Sequence, residues 1–129
     1  MKVYLLDTNS ILRFFLQDIR AQYEQTKTLI AQAKQGNVKV IVPGVVIPEL
    51  VYALEKYYAF SRKETAEVIL ALVKSSYVEI DDKFLYRSAL NLYKEVNIDF
   101  VDCYVICKAK VEEATLFTFD KKLQKLAQQ

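Results

Sequence analysis

The chain has 129 residues, a length that fits one domain and leaves little room for a second. An apolar fraction of 53% and a charged fraction of 26% exclude intrinsic disorder, and a net charge of +2 is too weak to require a nucleic-acid partner. The sequence has no His and only two Cys, which excludes His-dependent nucleophilic triads, His-based zinc sites and a disulfide framework.

Four short apolar runs alternate with helical segments along the chain. Strands are predicted at residues 2–6 (KVYLL), 38–42 (VKVIV), 77–80 (YVEI) and 114–119 (ATLFTF). Helices are predicted from about residue 11, at 22–36, 45–58, 61–76 and 82–96, from 98 to about 110, and at 120–128. Gly36 is predicted to end the second helix, and Ser61 and Glu64 to form a capping box. The first two strands are expected to be buried, and Cys103 and Cys107 to share a helix face. Strands joined by helical crossovers indicate an α/β fold, a single three-layer α/β/α domain over residues 1–129 with a parallel sheet of about four strands.

The sequence also predicts where the protein resides. The N-terminus shows no basic leader followed by a cleavage site, and no apolar run is long enough to cross a bilayer. We therefore expect a cytoplasmic protein with no membrane partner.

Four of the 16 acidic residues occupy unusual places in this pattern. Asp7 and Asp120 each follow a predicted strand directly, at the sheet edge where open parallel sheets bind ligands. Glu49 lies inside the apolar segment VVIPELVYAL, and Asp102 precedes the apolar run CYVIC. Taken singly, each could be a helix cap, a first-turn acid or half of a buried ion pair. Together, four acids at one edge are harder to explain as four separate caps than as one site.

A divalent metal ion is the economical partner for such a cluster, because carboxylates gathered without a cation raise one another's pKa. All-oxygen ligands favour Mg²⁺ or Mn²⁺, with Ca²⁺ possible. Sites of this kind hydrolyse phosphodiesters with one or two ions. Thr8 and Thr118, which lie near two of the acids in sequence, could orient a carboxylate or bound water, although core or cap roles explain each hydroxyl alone.

Four segments, in order, resemble the motifs of PIN domains, and in particular of the VapC-type ribonuclease toxins of toxin–antitoxin pairs. The segments are LLDTNSIL, PELVYAL, DFVDCYVICKAK and LFTFDKKL, and the resemblance covers essentially the whole chain. It implies that four acids hold the metal and carry catalysis: Asp7, Glu49, Asp102 and Asp120. It further implies that Asp99 is an additional acid found in many members, and that Thr8, Asn9 and Thr118 are polar residues around the metal.

The resemblance also implies an activity and partners. The protein would be an endoribonuclease dependent on Mg²⁺ or Mn²⁺, in which metal-activated water attacks the RNA phosphodiester. Its partners would be RNA, a protein antitoxin that blocks the acidic groove, and a second copy of the chain. The segment 45–60 is apolar nearly all round, which indicates deep core or a partner surface, and its aromatic residues favour an interface: Tyr52, Tyr57, Tyr58 and Phe60.

Alternative interpretations stay open. The chain could be a catalytically idle PIN-like domain that binds RNA or protein, although an unused acid cluster is an electrostatic cost. A phosphoryl-accepting regulator fits poorly, because it needs paired acids after the first strand and LLDTN has one. Asp99 could be a ligand, a supporting acid or a cap. Five basic residues could contact an RNA backbone, although solvated surface charge explains each as well: Arg13, Arg62, Lys63, Lys108 and Lys121.

Overall fold

A short parallel sheet surrounded by helices organises the chain in this computed structural model, which describes residues 1–129. The elements, in chain order, are β1 (Val3–Leu5), α1 (Thr8–Leu16), α2 (Arg20–Lys34), β2 (Lys39–Val42), α3 (Val46–Tyr58), α4 (Arg62–Lys74), β3 (Val78–Ile80), α5 (Lys83–Glu95), α6 (Phe100–Val111) and α7 (Lys121–Ala127). The strands are parallel in the order β1-β2-β3. The predicted α/β class, with a parallel sheet flanked by helices, is confirmed. None of the helices combines the length and the apolar character that a membrane crossing requires.

The sheet has three strands, whereas the sequence predicted about four. Residues 114–119 pair with no strand, so the prediction of a strand there is wrong. The backbone reverses at Glu113, which has a φ of 53°, and the Ala114 N–H donates to the Ala109 carbonyl at 2.8 Å. The Thr118 carbonyl accepts from the Gln124 side chain at 2.6 Å. These two backbone groups are therefore satisfied by the flanking helices, and a short apolar run did not suffice to make a strand.

The two faces of the sheet differ in burial. Side chains of β2 and β3 on one face are buried: Val40, Val42, Val78 and Ile80. On the opposite face Lys39 and Glu79 form an exposed ion pair at 3.0 Å. On β1, Val3 and Leu5 are 52% and 68% exposed, so the prediction of a buried first strand is wrong for these two side chains.

Helix α3 connects the core to the surface. Its buried face contributes to the 24-residue core cluster and consists of Val46, Ile47, Leu50, Val51 and Leu54. Tyr52, Tyr57 and Tyr58 remain 53%, 68% and 38% exposed. The deep-core interpretation therefore holds for the aliphatic side chains, while the exposed tyrosines leave the partner surface a prediction.

Local signals in the sequence set several helix starts. Ser61 and Glu64 form the predicted capping box at the start of α4, with reciprocal bonds of 2.9 and 3.0 Å. Pro48 lies in the first turn of α3, where its missing N–H costs no helical bond. Helix α1 begins at Thr8, about three residues before the predicted start, which makes Asp7 its N-cap.

The two cysteines are free thiols on α6, four residues apart as predicted for one helix face. Cys103 is fully buried, and burial raises the pKa of its thiol to about 11. Cys107 is half-buried, and burial also raises the pKa of its thiol. Both therefore pack as small apolar residues and are poor nucleophiles at neutral pH.

Candidate active site

Asp7 lies at the carboxyl end of β1 and caps helix α1. One carboxylate oxygen, Oδ1, accepts from the Ser10 backbone N–H at 2.9 Å and from the Ser10 hydroxyl at 2.8 Å. These bonds, the backbone one first, hold the pKa of Asp7 below its ordinary value, so the group is ionised at neutral pH. The other oxygen has no protein donor. The capping role foreseen from the sequence is therefore real, and it leaves one oxygen for a ligand.

Glu49 lies in the first turn of α3 and lines the same cleft as Asp7. Its Oε2 accepts from the Thr8 hydroxyl at 2.7 Å, which ties the start of α1 to the start of α3. Thr8 and Glu49 line an open cleft of about 700 Å³ together with Asp7 and Asn9. The remaining walls of this cleft, the α3 cleft, are Leu12, Pro48, Tyr52, Ala53, Tyr57 and Tyr58. Four of the predicted site residues thus meet in one cleft, although they come from two separate motifs.

Asp99 and Asp102 stand at the start of α6. Asp99 occupies the N-cap position, yet its side chain makes no capping bond, so the cap interpretation has no hydrogen bond to support it. Asp102 lies in the first turn and is half-buried. Burial, and then the charges of Asp99 and Asp120, raise the pKa of Asp102 above its ordinary value. Negative charge is therefore concentrated here without a compensating cation.

A second cleft, the α6 cleft, runs past these two acids and has a volume of about 530 Å³. Its walls come from α3 and α6, and they are Pro48, Val51, Tyr52, Glu55, Asp99, Phe100, Val101 and Asp102. Pro48 and Tyr52 line both clefts, so the two openings adjoin along α3.

Asp120 is the N-cap of α7. Its Oδ1 accepts from the N–H groups of Lys122 and Leu123 at 2.9 and 3.1 Å, while its second oxygen has no protein donor. Its own N–H donates to the Thr118 hydroxyl at 3.1 Å, which places that predicted polar residue beside the acid. Although the strand before it is absent, Asp120 still lies near enough to Asp102 to affect its titration.

The predicted acids form two groups. Asp7 and Glu49 lie in the α3 cleft, and Asp99, Asp102 and Asp120 interact through their charges at the start of α6. No three or more His, Cys, Asp or Glu side chains lie close enough to hold one metal ion together. The donors nevertheless suit a hard divalent cation, because they are carboxylate oxygens and at least one oxygen of each acid accepts no hydrogen bond from the protein.

Three of the five basic candidates for RNA contact already have protein partners. Arg13 bonds Asp18 at 2.8 Å and Tyr58 at 3.0 Å, and Lys108 pairs with Glu112 at 3.1 Å. Arg62 donates to three backbone carbonyls at the end of α5 and in the following loop. Lys63 and Lys121 are exposed and form no ion pair, so they remain the better candidates.

The structure adds residues that the sequence did not single out. Lys56 lies over the Tyr52 and Tyr57 rings beside the α3 cleft, and Glu55 lines the α6 cleft. The sequence could have indicated Lys56, because residues three and four apart are neighbours on a helix and Glu49, Tyr52 and Lys56 have this spacing.

Replacing Asp99 by Asn is expected to lower the pKa of Asp102 toward the ordinary value of 3.8, because one of the two neighbouring negative charges disappears. The measurement is a carboxyl-carbon NMR titration of the metal-free protein. Asp18→Asn, which changes an acid paired with Arg13, serves as the control and leaves the Asp102 titration unchanged. An unchanged Asp102 pKa in the Asp99 variant would contradict the arrangement described here.

Comparison with known protein families identifies the family of this chain. The family model for the PIN domain matches residues 4–129, and the chain belongs to the PIN-domain family. No solved structure gives a significant match.

A curated relative narrows the assignment. The chain is 31% identical, over 125 residues, to a VapC ribonuclease of Aquifex aeolicus (strain VF5). The aligned region covers 95% of this chain and 90% of the relative, which confirms the resemblance to VapC-type PIN domains.

Proposed function

We propose that the protein is an endoribonuclease that depends on Mg²⁺ or Mn²⁺, and that residues 1–129 form one PIN domain. The observation that carries the proposal is the set of acids at the helix starts. Asp7 and Asp120 each use one carboxylate oxygen for a helix cap, and their other oxygen has no protein donor. Burial, and then the negative charges of Asp99 and Asp120, raise the pKa of Asp102. A divalent cation would relieve that repulsion. The similarity to a protein named VapC ribonuclease supports RNA as the substrate.

The residues that would hold divalent ions are Asp7 and Glu49 in the α3 cleft and Asp102 and Asp120 near the start of α6, with Asp99 as a further ligand or a supporting acid. When bound, a divalent ion supplies a Lewis acid that lowers the pKa of water and stabilises a leaving oxygen. Ser10 keeps the Asp7 carboxylate ionised and fixed by two hydrogen bonds. Thr8 orients Glu49, and Thr118 fixes the backbone of Asp120. The tyrosines of the α3 cleft and the start of α6 in the α6 cleft would restrict how an RNA strand approaches these acids.

Cleavage of single-stranded RNA is expected with Mg²⁺ or Mn²⁺ and is expected to stop when EDTA removes the ion. The measurement is product formation from a labelled oligoribonucleotide on a denaturing gel, with the same sequence as DNA for comparison. A preparation that cleaves no RNA with any divalent ion contradicts the proposal. Binding of RNA without cleavage would support the alternative of a catalytically idle PIN domain.

We further propose that the protein acts as the toxin of a toxin–antitoxin pair. In this arrangement a protein antitoxin inserts a segment into the acidic clefts and neutralises them. The support is the VapC-type assignment together with two adjoining open clefts beside the acids. A small reading frame directly upstream of the gene would support the pairing, and its absence would favour a solitary PIN protein.

We further propose that the protein is a homodimer and that it resides in the cytoplasm. Large apolar side chains remain exposed on the monomer, above all Phe117 and Phe119, which are 86% and 89% exposed and lie edge to face at 5.5 Å. Exposed aromatic pairs of this kind occur at protein interfaces. Light scattering after size exclusion distinguishes a dimer from the 15.0 kDa monomer.

A further inference from the structure

We propose that Tyr52 and Tyr57 form a stacking subsite for an unpaired RNA base next to the scissile phosphodiester. The inference rests on the proposed function, since it assigns the substrate-binding part of the same site. Both rings line the α3 cleft together with Asp7, Thr8 and Glu49. Tyr52 also lines the α6 cleft with Asp99 and Asp102. An RNA strand bound in either cleft would therefore lie beside this ring.

The rings are placed to receive a flat ligand. Tyr52 and Tyr57 are 53% and 68% exposed, with ring centroids 6.0 Å apart and planes at 84°. Because the rings meet edge to face, they do not stack on each other and at least one ring face stays open to a third ring. A base that stacks on one tyrosine would meet the other with its edge. Aromatic stacking of this kind accepts any base, since every base has a π-face.

The neighbouring charges complement the rest of a nucleotide. Lys56 lies 5.0 Å from the centroid of Tyr52 and 5.9 Å from that of Tyr57, and its ammonium donates to the Tyr52 hydroxyl. This bond raises the pKa of Lys56, so the group carries its positive charge at neutral pH. A phosphate that follows the stacked base would therefore lie near a cation beside these rings.

The third tyrosine differs from these two. The Tyr58 hydroxyl accepts from Arg13 at 3.0 Å, and Arg13 is held in turn by Asp18 at 2.8 Å. Tyr58 is thereby fixed as a wall of the cleft and is the least exposed of the three rings. The stacking role is assigned to Tyr52 and Tyr57, the two more exposed rings.

The test measures binding separately from cleavage. A fluorescein-labelled, unstructured oligoribonucleotide is titrated in the presence of Mg²⁺ with the cleavage-deficient Asp7→Asn protein, and fluorescence anisotropy gives the dissociation constant. In this background Tyr52→Ala and Tyr57→Ala are expected to weaken binding by between about 5-fold and about 100-fold. Tyr52→Phe and Tyr57→Phe keep the ring and are expected to bind within about 2-fold of the parent.

The control is Tyr4→Ala, because Tyr4 is a half-buried aromatic with Lys2 over its ring at 4.9 Å and lines neither cleft. It is expected to bind RNA as the parent does. If wild type cleaves RNA while both alanine variants bind RNA as tightly as their Asp7→Asn parent, the subsite is wrong and the proposed function stands. If the parent binds no RNA and wild type cleaves none, the proposed function itself fails. If Tyr57→Ala converts a dimer into a monomer, these rings belong to an interface between copies, which also overturns the subsite.

Discussion

Asp7→Asn is expected to reduce RNA cleavage by more than about 100-fold, beyond the usual cost of losing a group that only supports a metal ligand. The substitution removes the charge that a divalent cation would need and keeps an oxygen in place. Asn is as good an N-cap as Asp, so the bond from the Ser10 N–H persists. The measurement is the initial rate of RNA cleavage with saturating Mg²⁺, beside a urea unfolding curve for each protein.

The matched control is Asp82→Asn, because Asp82 is also the N-cap of a helix, α5, and makes no capping bond. It is expected to cleave RNA at the wild-type rate. For Asp7→Asn, the free energy of unfolding at pH 7 is expected to stay within about 1 kcal/mol of wild type. The stability from the lowered Asp7 pKa is present above the ordinary value of 3.8 and is lost as the pH falls through the folded-state pKa. Equal cleavage by wild type and Asp7→Asn would remove Asp7 from the catalytic set.

Arg62→Ala is expected to lower the free energy of unfolding by about 2–4 kcal/mol, a large effect for one surface-proximal residue. A single guanidinium nitrogen donates to the carbonyls of Tyr93, Val96 and Ile98 at 2.8, 2.8 and 2.7 Å. The guanidinium also lies 3.8 Å from the centroid of the Tyr93 ring. Its removal leaves three partly buried carbonyls without this donor and loosens the loop that precedes Asp99. The measurement is urea unfolding followed by circular dichroism.

Lys63→Ala is the control for this change, since Lys63 is the next residue on α4, is exposed and forms no ion pair. Its free energy of unfolding is expected to stay within about 0.5 kcal/mol of wild type. Arg62→Lys is expected to fall between the two, because an ammonium keeps the charge and loses the planar group that lies over the ring. An Arg62→Ala protein as stable as Lys63→Ala would show that the three carbonyls are satisfied in another way.

The sequence predicted the elements that local chemistry determines. The capping box at Ser61 and Glu64 and the turn at Gly36 reflect interactions within a few residues, and the structure has both. The fourth strand was predicted from the short apolar run ATLFTF, and this failed because a strand also needs a neighbour with free backbone groups. Residues 114–119 instead satisfy backbone groups through α6 and α7. Whether an apolar run forms a strand is therefore settled by contacts far along the chain.

The same distinction between local and long-range interactions applies to the candidate site. Asp7, Glu49 and Asp102 were singled out because acids beside apolar runs are uncommon, and the family resemblance supplied their order. The bond from Thr8 to Glu49 spans 41 positions, and the clamp by Arg62 spans up to 36, so no local pattern could reveal either. Arg62 was expected on the surface for that reason. Tyr52 and Tyr57 were predicted only as interface aromatics, because which tyrosines line the cleft beside Asp7 and Glu49 depends on how α3 packs.

Strand β1 has a consequence for solubility. It pairs with β2 alone, so its other edge carries backbone groups without a strand partner, and Val3 and Leu5 beside it are exposed. Such an edge is a template for adding a strand from another molecule. Electrostatic repulsion opposes this association weakly, because the chain has a net charge of only +2 at pH 7 and an isoelectric point near 8.4. Concentrated solutions should therefore stay clear longest in buffers well below pH 8.4, where added positive charge keeps the exposed edges apart.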